Sequence, residues 1–291
     1  MKTNFSICRP LIFFMFVLTN VSINALPYQN KKTVANFSLD ENDTTRYRGH
    51  YLYEIAYQTI ADMLEGKRNI DLKEANFAIE NAYYMGMLNR TTYMQEINRI
   101  AKGLEAQAKS PMISAPTIDM ALNYCIYLFY SQPQVLNDYN IYQYDVASVL
   151  ADGGISGGMV ATLLETGKGT CRSLPYLYLI LAHEIGAEAY IATAPMHYYI
   201  RTKDNNGVWW NFETTTHSFS RTEFIRDNFY VSDAGIKSGL YMKNLNDKEY
   251  LSLLLYDLLY FYELKTGFFA NAFTKKCYFH MEKHRRIMPC L

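Results

Sequence analysis

Apolar side chains recur at close to the helical period through the first part of the chain. Tyr51, Ile55, Tyr57, Ile60 and Met63 fall near a 3.6-residue spacing, and Gly66 ends the run. Asp71 is placed to cap a second helix carrying Ala75, Ile79, Ala82 and Met85, and Thr91 or Thr92 to open a third through Ile97, Ile100 and Leu104. Pro111 and Pro116 break the pattern, after which Ile118 to Tyr130 reads as a buried helix. Such stripes predict core packing. Residues 139–239 hold the glycine-rich and strand-like sequence. From Asp247 to Arg286 the pattern is helical again, with Leu251, Leu254, Leu255, Leu258 and Leu259 along one side. Thr266-Gly267 separates a second helix there, from Phe268 to His284. One helix pair is not a repeat array, so this part is expected to be a packing appendage.

Within the middle region, Leu174, Leu177, Tyr178, Leu181 and Ile185 form an apolar helical face that Gly186 stops. Proline is accommodated only near a helix start, so Pro175 puts Cys171 at or just before the first turn. Unpaired N–H groups and the positive helix end favour a thiolate there. A thiolate nucleophile calls for a base, and the base for an acceptor that orients it. Residues 187–195 read as a strand, and 196–202 and 208–215 as two more around an Asp204-Asn205-Asn206-Gly207 turn. Alternation groups His197 with Tyr199 and Arg201, and Trp209 with Asn211 and Glu213. His197 and Glu213 meet only with an odd-length loop around Asn205, or a bulge. A two-residue Asn206-Gly207 turn would put Glu213 on the wrong face.

Charge and composition narrow the class. The 291 residues carry 28 Lys plus Arg and 28 Asp plus Glu, which argues against a nucleic-acid partner. Hydrophobic residues at 49% against 19% charged exclude a disordered chain. The 26 tyrosines suit core and groove packing, since each ring can be buried with its hydroxyl left wet. Lys2 and Arg9, the apolar run Leu11 to Leu18, and small Ala25 have the layout of a secretory signal peptide over residues 1–25. A flexible linker over 26–46 follows, and the expected destination is secreted or periplasmic. Cys8 precedes the apolar run and is not a lipid attachment site. No later run is long enough to span a bilayer, so the mature chain is expected to carry no stable membrane span. Cys125, Cys171, Cys277 and Cys290 include no CxxC pair, so no metal and no cofactor is expected. Export would permit a Cys277–Cys290 bridge. Asn36, Asn42 and Asn89 stand in glycosylation triplets.

The string GTCRSLPYLYLILAHEIGAEAYIATAPMHYYIR from Gly169, followed by WWNFETT from Trp209, resembles the transglutaminase-like superfamily of cysteine enzymes. The likeness covers about residues 139–239, and is closer to exported bacterial proteins that join such a domain to helical segments. It implies a papain-like α+β fold: a cysteine-bearing helix packed on a small antiparallel sheet, here with helical flanks at 47–138 and 240–291. By the resemblance Cys171 is the nucleophile, His197 the base, and Glu213 takes the place where the family carries aspartate, with Asn211 as a fallback. Where the family continues Asp-Pro-Thr, this chain has Glu213-Thr214-Thr215.

The expected function is an exported cysteine hydrolase or acyltransferase on peptide or isopeptide amides, cell-wall peptides among them. The alternative is a catalytically inactive binding or scaffold protein, since the family includes such members. Oxyanion donors are expected from the Cys171 N–H and the Tyr142-Gln143-Tyr144 stretch. Asp152 to Gly158 is expected as a mobile loop at the groove rim, Tyr199, Trp209 and Trp210 as groove walls, and Arg172 and Arg201 as candidates for a substrate carboxylate. His183 should point away from Cys171, and His217 should lie in a loop.

Overall fold

The computed structural model describes residues 44–267 and 272–284, which form a mixed helix-and-sheet architecture. The predicted signal peptide, most of the linker, Cys8, Asn36, Asn42 and Cys290 lie outside these residues.

Helix α1 (Thr44–Leu64) buries Tyr53, Ala56, Tyr57, Ile60 and Leu64, whereas Tyr51 and Ile55 are 60% and 44% exposed. The predicted stripe therefore has the wrong phase at its start. Ala56 and Ala61 lie on the contact side, where their small side chains let neighbouring helices approach closely. Helix α2 (Leu72–Tyr83) is capped by Asp71, whose carboxylate accepts the Glu74 N–H at 2.8 Å. Helix α3 (Arg90–Ala108) starts earlier than predicted. Asn89, and not a threonine, caps it by accepting the Thr92 N–H at 3.1 Å. Asparagine serves this role well because its short side chain reaches the N3 amide. Helix α4 (Ile118–Ser131) is capped by Thr117.

The middle of the chain supplies two small sheets. Strands β1 (Gln143–Tyr144) and β2 (Lys168–Gly169) run parallel, with helices α5 (Val146–Asp152) and α6 (Val160–Thr166) between them. The turn after α5, expected as a loop at the groove rim, is closed by hydrogen bonds to its first residue. The Asp152 carboxylate accepts N–H bonds from Gly154, Ile155 and Ser156 at 2.9–3.0 Å, and Gly157 and Gly158 are buried. Helix α7 (Ser173–Ile185) then packs on the four-stranded antiparallel sheet β3 (Tyr190–Ala194), β4 (His197–Lys203), β5 (Trp209–Glu213) and β6 (Ser218–Ser220).

The two faces of this sheet are covered differently. Ile191, Ile200 and Phe212 join the main core beneath α7. Ala192, Ala194 and Tyr199 point the other way, into a second cluster with Ile225 and Val231. That cover comes from short helices α8 (Thr222–Asn228) and α9 (Asp233–Lys237), which the hydrophobic pattern does not announce.

Helix α10 (Asp247–Thr266) has an Asn246/Glu249 capping box, and helix α11 (Ala272–His284) follows it. The predicted leucines of α10 are buried in the same core as Ile60, Leu104, Phe129 and Leu177. No helix among the described residues is long and apolar enough to cross a membrane.

Candidate functional site

A serine, a glycine and a proline shape the turn that carries Cys171. The Ser173 hydroxyl accepts the Thr170 N–H at 3.0 Å and donates to the Gly157 carbonyl at 2.5 Å, which fixes the chain on both sides of the cysteine. Position 169 has no room for a side chain, because a Cβ there would collide with the Ser173 hydroxyl and press on Leu163 and Leu174. Pro175 falls in the first turn of α7, where its missing N–H costs no helical bond. Cys171 is thus held at the mouth of α7, partly exposed, with its Sγ 3.9 Å from the Met196 carbonyl. The other two cysteines among the described residues are buried thiols. Burial raises the pKa of Cys125 and pushes that of Cys277 up to about 12.

His197 is the first residue of β4 and pairs with Ala194 across the turn at Pro195-Met196. Its alternation sets it on the sheet face away from α7, beside Tyr199. Standing at the strand end, next to Met196 whose carbonyl the Cys171 sulfur approaches, it lies close enough to Cys171 for the two groups to influence each other's charge. The other side of the ring is taken by Glu213, with Nε2 to Oε2 at 2.6 Å. Both residues are buried.

The β4–β5 register explains why a glutamate fits. Lys203 pairs with Trp209, leaving a five-residue loop centred on Asn206 and not on Asn205. Odd length keeps His197 and Glu213 on one face, as required. Continued pairing sets Glu213 across from Tyr199, so it approaches His197 diagonally. Diagonal neighbours stand about 7–8 Å apart, and the longer acid suits that span. Asn211 is opposite Arg201 and donates to the Ser220 carbonyl at 3.2 Å, so the fallback role is not its own.

Phe229, which the sequence did not single out, covers the imidazole. The two rings stack with centroids 4.2 Å apart and planes 10° from parallel. Burial acts to lower the His197 pKa. The hydrogen bonds and charges of Cys171 and Glu213 outweigh it, and the ring is pushed up to about 9. Imidazolium is therefore favoured beside the sulfur at neutral pH. Nε2 is the ring nitrogen that serves the carboxylate, and Nδ1 is the one that Glu213 leaves unengaged.

Around this trio the sequence expectations divide. Tyr144 lies close enough to feel Cys171: burial first, then the charges of Cys171 and Asp145, raise its pKa and keep the phenol protonated. Tyr142 is instead a core residue packed against the tilted rings of Phe129 and Tyr130. His217 lies in the turn between β5 and β6, as expected, and burial pulls its pKa down.

The groove-wall expectation is corrected. Tyr199 is fully buried, Trp209 packs on Tyr190 and Arg201, and Trp210 donates to Asp204 beside Arg221. Both tryptophans sit at the far end of the hairpin from His197. The arginines are committed as well: Arg201 bonds the Met242 carbonyl and Asn244, and Arg172 pairs with Asp257 at 3.1 Å. His183 is 3.9 Å from Asp247, near the opposite end of α7.

Among the described residues, no group of His, Cys, Asp and Glu could hold a metal ion. No family model, curated protein or solved structure matches the chain.

Proposed function

We propose that this is an exported cysteine hydrolase or acyltransferase acting on peptide or isopeptide amides, with Cys171, His197 and Glu213 on a papain-like core of the transglutaminase-like type. One observation carries the reading: a single buried imidazole, bonded to a buried carboxylate, lies beside a partly exposed thiol at a helix mouth. Structural histidines seldom need both partners, whereas a nucleophile, its base and an orienting acid do.

The chemistry follows in two halves. The Cys171 thiolate adds to the amide carbonyl, and the resulting oxyanion is met by the Cys171 N–H and, as second donor, the Tyr144 hydroxyl. Imidazolium at His197 passes its proton to the departing amine as the C–N bond breaks, leaving a thioester on Cys171. Water or an amine then attacks the thioester while His197 takes its proton. The sulfur leaves, and the product is an acid or a new amide. Glu213 holds the ring and stabilises its charged form throughout.

An electrophilic thiol probe tests the nucleophile. Labelling at neutral pH should be rapid in the wild type, slow in His197→Ala, and lost at this site in Cys171→Ser. Labelling that Cys171→Ser leaves unchanged removes Cys171 from the role. Casein and cell-wall peptides, with Cys171→Ser as control, test turnover. A scaffold protein would release no amine from either.

A further inference from the structure

The residue after the nucleophile is an arginine that faces inward. The Arg172 side chain is 14% exposed, its Nε donates to Asp257 Oδ2 at 3.1 Å, and its Nη1 donates to the Gly158 carbonyl at 3.0 Å. Tyr176, one turn along α7, donates its hydroxyl to the same Asp257 oxygen at 2.9 Å. The guanidinium also lies over the Phe261 ring, 4.6 Å from its centroid.

A buried ion pair adds little net stability over apolar side chains of similar size, so stability gives no reason to put one here. Position does. Asp257 and Phe261 belong to α10, far along the chain from the site. Gly158 precedes α6, whose first amides at Val160 and Ala161 are clamped at 2.6 and 2.9 Å by the buried Glu80 carboxylate of α2. The backbone step between Arg172 and Cys171 is thereby tied to both helical flanks.

We infer that Arg172 and Asp257 are positioning residues, holding the turn that carries Cys171 so that its sulfur faces His197. The inference rests on the cysteine-hydrolase reading above, and it makes the flanking helices part of the site's support.

The test uses the full-length protein and iodoacetamide, following alkylation of Cys171 by mass spectrometry from about pH 5 to about pH 10. Thermal melts are recorded alongside. Misplacing a reacting group by about 1 Å can cost about a hundredfold. Asp257→Asn and Arg172→Lys should therefore each slow alkylation at neutral pH by about tenfold or more. Their pH profiles should move toward that of His197→Ala while their melts stay cooperative. A residue serving only stability would lower the melt and leave the profile alone. A cooperatively melting variant with the wild-type rate and profile overturns the inference. If one variant does not fold, the other decides, and Tyr176→Phe, which removes a single hydroxyl, decides if neither folds. A wild-type profile in His197→Ala sinks the hydrolase reading instead.

Discussion

Opposed influences set the charge of His197. Burial disfavours imidazolium, while Cys171 and Glu213 favour it strongly enough to carry the pKa from 6.5 to about 9. The stabilising charge is fully present below pH 6.5 and is lost as pH rises through about 9, a window worth on the order of 3 kcal/mol. His197→Gln lacks this term, so the wild type's advantage in melting temperature over that variant should narrow between pH 6.5 and 9. Amide turnover should fall on the alkaline side with an apparent pKa near 9, and Glu213→Gln should move that limb toward 6.5. A pH–rate profile checks both statements. Phe229→Ala should lower kcat more than it raises KM, because the stacked ring restrains the imidazole. Cys171, His197 and Glu213 were legible because each follows a short-range rule: a helix start, a strand alternation, a loop parity. Phe229 was not, since nothing in its neighbours says which remote strand end it will cover.

Helix phase is where the pattern of apolar residues misled. Tyr51 and Ile55 look like core positions, yet Tyr53 and Ala56 occupy that side of α1. A tyrosine can serve either side of a helix, and an alanine on the contact face carries little hydrophobic signal. Ile60→Ala should therefore cost about 2–5 kcal/mol in a denaturant melt, while Ile55→Ala should stay within about 0.5 kcal/mol. The small covering helices α8 and α9 were unreadable for a related reason. Each is too short for a period to emerge, and they bury their side chains in a separate cluster behind the sheet. Gly169→Ala tests the other end of the scale. With Ser173, Leu163 and Leu174 against the new methyl group, the start of α7 must shift, lowering the melting temperature and slowing Cys171 labelling together.

At the level of the molecule, the three regions read from the sequence share one core. Ile60 and Leu104 from the first, Leu177 from the middle and Leu254 from the last belong to the same buried cluster. The last helices were expected to be an appendage because their leucine stripe identifies a buried side but not its partner. In the structure α10 packs against α1, α2 and α11, and Asp257 reaches the turn beside Cys171. A chain ending at residue 246 should lose its cooperative melt, whereas an appendage could be removed with the transition intact.

From Cys171 to Glu213 the backbone runs without a break through one helix and a three-stranded meander, so all three side chains come from one continuous stretch of chain. Contacts of short sequence separation close early and cheaply as a chain folds. The carboxylate that grips Arg172 arrives from far downstream, on α10. A chain still emerging can thus form this helix and meander before the segment carrying Asp257 exists to hold Arg172.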